Sequence, residues 1–324
     1  MSKKVRLLVR GPALSASGYG EHCRFLIRSL LENPLCDLYV DNIKWGNLGF
    51  DLSVYDEIEG LKDIINRTKL VLAKEDAFFD ISVQVTIPNE FQKISPYNVG
   101  VTAGIEVDRV SKEWIEKCNE MDKIITISEH SRKTLTDTVY KTGEEVLKIR
   151  PPVTIVPYPV LIDGEKDLDL KLETDFNFLI FSLLGIRKNI ESAIAWFVEE
   201  FRNEPVGLVL KTAHINGTIK DRRRTEAHVR KVLESLGERK CKIYLLHGRL
   251  TQQEKNSLFK NEKIKCLVSL SHGEGFGLPL FEAAYNGLPI ISPNWSGQVD
   301  FLNHEVKDKK GKIKQKALFS KVEY

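Results

Sequence analysis

No stretch of about 20 apolar residues occurs in the 324-residue chain, so no segment reads as a membrane-spanning helix. The N-terminus, Met-Ser-Lys-Lys, runs straight into a strand pattern and lacks the apolar core of a signal peptide. Cysteine is scarce: Cys23, Cys36, Cys118, Cys241 and Cys266 are odd in number and scattered. That spacing excludes a disulfide frame and a thiolate metal cluster, and it fits reduced core thiols in a cytoplasmic protein. Net charge is only +3, too small to argue by itself for nucleic acid as a partner. What remains, with 42 % apolar and 29 % charged residues, is a globular chain long enough for two ordinary domains.

The most informative stretch is Ser271-His-Gly-Glu-Gly-Phe-Gly-Leu-Pro-Leu-Phe-Glu-Ala-Ala-Tyr-Asn-Gly287. An apolar run before it, Cys266–Leu270, reads as a buried parallel strand, and Leu288–Ser292 reads as the next one. Between them lies a loop punctuated by Gly273, Gly275 and Gly277, then a helix that Pro279 starts and Gly287 ends. A strand, a glycine loop and a helix N-terminus together present unpaired N–H groups and a positive dipole end, which suits a phosphate. Two carboxylates flank that seat. Glu274 is in the loop, and Glu282, about one turn into the helix, is placed to accept hydrogen bonds from a ribose diol.

Glu-Gly-Phe-Gly-Leu-Pro-Leu-Phe-Glu resembles the E-x7-E signature of retaining glycosyltransferases with the GT-B fold. The resemblance spans roughly Val5 to Leu302 and is strongest in the second half. It implies an α/β chain of two Rossmann-like doubly wound domains, an acceptor domain over 1–165 and a nucleotide-sugar donor domain over 166–324, facing each other across a cleft. The charged segment 161–174, without aromatics, is the expected join. The family's first Glu contacts the donor sugar and its second binds the ribose, which here assigns Glu274 and Glu282, with Gly275, Phe276, Gly277 and Leu278 lining the donor between them. No resident cofactor is implied, only a nucleoside-diphosphate sugar as substrate. The acidic pair that holds a nucleotide-bound metal in the other glycosyltransferase fold has no counterpart in a suitable loop, because Asp167-Leu168-Asp169 sits in the join.

The same resemblance assigns further positions. In Gly185-Ile-Arg-Lys-Asn189, Lys188 matches the family's diphosphate-binding Lys; the family's earlier Arg is missing, and Arg187 stands in for it. Gly18 and Gly20 fall in a glycine-rich first loop that faces the donor diphosphate. Gly248 and Arg249 fall beside the nucleobase, ahead of a Thr251/Glu254 capping box. The segment 293–298 resembles the loop that closes the donor pocket. On the acceptor side Glu106 and Asp108 follow a strand, with a cap role at Asp108 or Ser111 equally open, and the His that many relatives place nearby is absent from this stretch. His130 lies at another helix start capped by Ser128, where a surface His is the commoner outcome.

The C-terminal stretch departs from the family. A lysine-rich run (Lys307, Lys309, Lys310, Lys312, Lys314, Lys316) reads as a solvated loop, and Ala317–Tyr324 reads as the start of a strand. The expectation is therefore a shortened enzyme. The acceptor is left open among a glycan, a lipid-linked glycan, a protein and a modified DNA base. An inactive nucleotide-sugar-binding module and a nucleotide-sugar epimerase on the same fold stand as alternatives.

Overall fold

The computed structural model describes residues 4–323 except 162, 216 and 310. The chain divides into two compact units, Met1–Pro159 and Val160–Tyr324.

In the first unit, β1 (Val5–Gly11), α1 (Gly18–Leu31) and β2 (Cys36–Asn42) are followed by the short α2 (Val54–Glu57) and by α3 (Leu61–Leu72). Next come β3 (Ile81–Val85), β4 (Tyr97–Val101), α4 (Lys112–Cys118), β5 (Lys123–Thr126) and α5 (Glu129–Asp137). A small hairpin, β6 (Tyr140–Thr142) and β7 (Glu145–Leu147), precedes β8 (Val153–Ile155). The strands form one sheet in the order β2-β1-β3-β4-β5-β8, every pair parallel. Ser111 caps α4 by accepting from Trp114 N–H, which settles the choice between Ser111 and Asp108. One expectation needs correction: Gly18 and Gly20 lie in the first turn of α1, not in the loop before it. Ser17 caps that helix, and a Cβ on Gly20 would stand 2.0 Å from the Ser15 carbonyl oxygen. Close packing of loop on helix explains Gly20 without a ligand.

The second unit restarts the pattern with β9 (Asn177–Phe181), α6 (Ile190–Phe201), β10 (Gly207–Lys211), α7 (Ile219–Glu234) and β11 (Lys242–Leu246). It continues with α8 (Gln252–Lys260), β12 (Ile264–Val268), α9 (Leu278–Tyr285) and β13 (Ile290–Pro293). After these come α10 (Val299–Leu302), β14 (Asn303–Lys307), β15 (Ile313–Ala317) and β16 (Ser320–Val322). Its sheet runs β11-β10-β9-β12-β13-β16, all parallel. Two parallel six-stranded sheets with helices between their strands are the two Rossmann-like domains of a GT-B fold.

Strand side chains alternate between faces, and both faces of a parallel sheet are buried. Leu179 and Val209 join Leu258, Phe259, Leu280 and Ala283 of α8 and α9. Ile180, Leu208 and Leu210 join Ile194, Phe197 and Val229 of α6 and α7. The alternation places Lys211, two residues beyond Val209, on the α8/α9 face.

Two further corrections concern the chain between and after these elements. The join is not a free linker: Leu168, Leu170 and Leu172 pack against the α8/α9-face core while Asp167 and Asp169 are exposed. Lys166 N–H donates to Ser257 Oγ at 3.1 Å, and its ammonium lies 2.9 Å from Glu254. These contacts draw the segment into the second unit, so the division falls six residues before the expected boundary at 165. The lysine run is not a loop either. Lys307, Lys314 and Lys316 lie in the arms of an antiparallel ribbon, Asn303↔Ala317 to Lys307↔Ile313, with Lys314 on Asp308 at 3.2 Å. Lys309 and Lys312 fall in the turn between the arms; Lys310 lies outside the described residues. The strand expected after it forms as β16, which pairs with β13.

Candidate active site

The strand order of the second sheet reverses between β9 and β12, and in an open parallel sheet that is where the carboxyl ends part to leave a crevice. Leaving β9, the chain makes a single turn at Ile186–Lys188 before α6; leaving β12, it makes the glycine loop before α9. The two segments are clipped together. His272 N–H donates to the Arg187 carbonyl at 2.8 Å, and the Arg187 guanidinium donates to Ser271 Oγ at 3.3 Å and to the Gly273 carbonyl.

Glu274 consequently faces both cations. Lys188 Nζ is 2.5 Å from its Oε1, and Arg187 Nη1 is 3.2 Å from its Oε2. Glu274 is 8 % exposed. Burial alone would raise its pKa, but the charges of Lys188 and Arg187, with hydrogen bonds from Lys188 and Ser271, outweigh burial and hold it below the usual carboxylate range. A narrow cleft lined by Ser182, Lys188, Ser269, Glu274, Gly277 and Pro279 lies beside this triad.

The loop at 293–298 braces the glycine loop. Ser296 Oγ accepts from Glu274 N–H at 3.0 Å, and Gly297 N–H donates to the Glu274 carbonyl at 2.8 Å. A Cβ on Gly297 would stand 2.0 Å from the Gly275 carbonyl oxygen, so only glycine allows this approach. Gly277 has φ +87°, a left-handed conformation that suits glycine and turns the chain into α9. The structure separates the residues in between: Gly275 and Gly277 contribute backbone, Leu278 is half-buried at the helix start, and the Phe276 ring is buried. It packs against Phe281 and Phe301 with centroids 5.2 and 5.0 Å away. Phe276 therefore shapes the loop from below and offers a ligand only its backbone.

Glu282 lies on α9, 4 % exposed, with Lys255 Nζ of α8 at 2.6 Å from its Oε1. Nearby, at the end of β10, Lys211 is buried over the Phe181 ring (5.4 Å to the centroid) and donates to the Gly248 carbonyl. Burial, then the neighbouring Lys255 charge, lowers its pKa to about 8. Gly248 begins the loop after β11 with φ +104°, and exposed Arg249 follows it. The side chain of His247, just before, pairs with Asp221 at 3.0 Å and anchors that loop to α7. Lys211 and Lys255 were not singled out from the sequence, whereas Ser296 and Gly297 fall in the segment 293–298 expected to close the donor pocket. A lysine in a strand's buried register and another in a helix's first turn, where a cation opposes the dipole, were the signals available.

The remaining candidates belong to the first unit. Gly18 and Gly20 are described above; Glu106 is half-buried and Asp108 exposed on the segment after β4. That segment is tied down by Tyr19, whose buried hydroxyl is 2.9 Å from Thr102 Oγ1 and accepts from Ala103 and Gly104 N–H at 3.1 and 2.9 Å. The chain brings a histidine here after all. His130, in the first turn of α5, is hydrogen-bonded to the Val107 backbone beside the Asp108 charge; burial, the largest influence, lowers its pKa.

With this geometry in view, comparison with known proteins is decisive for the second unit. Residues 216–317 match the family model described as Glycosyl transferases group 1. That stretch is similar to the group 1 glycosyltransferases. The matched residues include Gly248, Lys255, Glu274, Glu282 and Gly297, most of the site just described. Among solved structures, a sucrose-phosphate synthase from Thermosynechococcus elongatus aligns with TM-score 0.60 and 14 % identity over 91 % of this chain and 82 % of that one. An α,α-trehalose-phosphate synthase (UDP-forming) from Burkholderia vietnamiensis aligns with TM-score 0.56 and 10 % identity over 93 % and 85 %. The lipopolysaccharide outer core galactosyltransferase WaaB in its apo form gives 0.51 and 14 % over 90 % and 81 %. Identity this low carries the fold, and the fold shared with these chains is GT-B. No curated protein sequence matches. Among the described residues no helix is long and apolar enough to cross a membrane.

Proposed function

We propose that this chain moves a sugar from a nucleoside-diphosphate sugar to an acceptor hydroxyl with retention of anomeric configuration. The observation that carries the reading is Glu274 buried between Lys188 and Arg187 where the strand order reverses. During transfer the bond from the anomeric carbon to the diphosphate oxygen breaks, and negative charge grows on the departing diphosphate. An ammonium has three donors and a guanidinium five, so both cations keep donors for phosphate oxygens while still holding Glu274. Such preorganised charge acts where the transition state needs it. The N–H groups at the start of α9 add to it, and Glu282 takes the ribose diol. Glu274, kept ionised by its cations, accepts hydrogen bonds from sugar hydroxyls. The neighbour named UDP-forming supports a nucleoside diphosphate as the leaving group. Charge neutralisation by Lys188 and Arg187 supports transfer without a divalent metal.

A thermal-shift series with nucleoside diphosphates tests the donor site. Ligand at a hundredfold excess over its dissociation constant adds about 2.7 kcal/mol of apparent stability. One diphosphate shifts the wild type and fails to shift Glu282→Ala; no shift with any nucleotide removes the reading. Proton NMR of the product formed in the presence of a chelator then reports both the anomeric configuration and metal independence.

A further inference from the structure

We infer that Lys255 is a positioning residue for Glu282, and that this buried pair makes the site select ribose over deoxyribose; the inference rests on the donor-site reading above. Lys255 occupies the fourth position of α8, in the turn where the helix dipole repels a cation. Its partners along the helix face, Leu258 and Phe259, are buried, so its side chain points into the sheet-facing side. There it meets a second cation, since the charge of Lys255 lowers the pKa of Lys211. The helix dipole, core packing and local charge all disfavour lysine at this place. One contact accounts for it: the ammonium lies 2.6 Å from Glu282, with the two side chains 15 % and 5 % exposed.

That contact does two things for a diol-binding carboxylate. It sets a cation against a carboxylate that burial takes out of water. It also fixes the rotation of the carboxylate plane by engaging one oxygen in a charge-assisted bond. A carboxylate accepts several hydrogen bonds, so capacity remains for the ribose hydroxyls. A ribose places two adjacent donors against it, and a 2′-deoxyribose places one. Discrimination between them depends on the carboxylate's orientation, which is what Lys255 sets.

Calorimetric titration of uridine, guanosine and adenosine diphosphates and their 2′-deoxy forms tests this. For the diphosphate that binds the wild type, the ribose form binds about tenfold tighter than the deoxy form, in line with one hydrogen bond to a charged group. In Lys255→Met the ribose form loses about tenfold while the deoxy form stays within twofold, so the ratio collapses towards one. Lys255→Arg restores most of the ratio. Retained deoxy-nucleotide binding reports that the variant's site is folded. An unchanged ratio in Lys255→Met, or an equal loss for both sugars, overturns the positioning role. Failure of every diphosphate to bind the wild type instead removes the donor-site reading, and the inference with it.

Discussion

The carboxyl edges of the two sheets are built from opposite materials. In the second unit the edge is ionic: Lys188 and Arg187 on Glu274, Lys255 on Glu282, and Lys211 on a backbone carbonyl. In the first unit one buried cation, Arg24, holds the loop after β1 through the Ala13 and Ser15 carbonyls and pairs with Glu21. The buried groups around the segment after β4 are neutral. Tyr19 ties the segment after β4 through its hydroxyl, and His22 stands edge-on to Tyr158 with centroids 4.8 Å apart. Burial lowers the pKa of His22 to about 4 and raises those of Tyr19 and Tyr158, so all three stay uncharged at neutral pH. A charged edge suits a charged ligand, and its buried ion pairs resist rearrangement only while every partner is present. A neutral edge suits a ligand of hydroxyls. On the proposed reading the ionic edge takes the negative charge of the donor, and the contrast can be broken experimentally from either side.

The largest effect is expected on the ionic side. Lys188→Met removes the closest cation of Glu274 and a charge facing the leaving diphosphate. Loss of one preorganised donor of this kind costs about 10²–10³ in kcat. Steady-state assay of the variant checks it: a fall confined to KM would show that Lys188 binds the ground state and does nothing for the departing charge. The comparison predicts no such loss for a conservative change at the neutral edge.

The neutral side carries an acid-sensitive stability. The imidazole of His22 has an ordinary pKa of 6.5 and a folded value of about 4, so the unfolded chain binds more protons between those pH values. Stability from this group is whole above pH 6.5, falls as pH drops, and is spent near pH 4, a loss of about 3 kcal/mol. The Glu274 carboxyl, shifted below its ordinary 4.5, works in a lower window: its contribution is whole above pH 4.5 and is lost as pH falls further. Urea denaturation of His22→Phe across pH 7 to 4 therefore flattens the upper limb, and Glu274→Gln flattens only the lower one. Parallel pH profiles for wild type and His22→Phe would sink the first assignment.

How much of this contrast was legible beforehand follows from what each edge is made of. Glu274 and Glu282 stood out because a glycine loop between two buried strands has few physical purposes, whereas Lys188 was singled out through the family resemblance. The sheet that carries them was readable for the same reason: apolar runs alternating with amphipathic segments leave little choice but a parallel sheet. Lys255 was hidden because its partner is 27 residues away on another helix, a contact no local pattern encodes. His130 was hidden likewise: the chain folds back over about twenty residues to set it beside Asp108. At Gly20 the sequence did not show the close packing against Ser15, because that contact is made only once the loop folds onto α1. The lysine run misled for a different reason. Its alternation of charge with Ile313, Gln315 and Ala317 fits an exposed ribbon as well as a loop, and only pairing with Asn303–Lys307 decides between them.

The smallest effect separates stability from function within the ionic edge itself. Lys211 is buried, its pKa falls from 10.5 to about 8, and among the described residues its bonded partner is the Gly248 carbonyl. The sign follows from the depressed lysine value. The cost of holding the charge is complete below pH 8 and is relieved as pH rises from 8 to 10.5, because there the unfolded chain binds the extra proton. The drop of about 2.5 units corresponds to about 3 kcal/mol, against which the hydrogen bond to Gly248 returns about 1. Lys211→Met is therefore expected to be about 1–2 kcal/mol more stable than wild type at pH 7 and nearly equal to it at pH 10.5, measured by urea denaturation at both pH values. The same variant binds nucleoside diphosphate more weakly, since it frees the Gly248 carbonyl and loosens the loop that carries it. A variant less stable at pH 7 would mean that the Gly248 bond and the Phe181 contact outweigh desolvation. Lys211 would then be an ordinary structural lysine, and the ionic edge would end at Lys255.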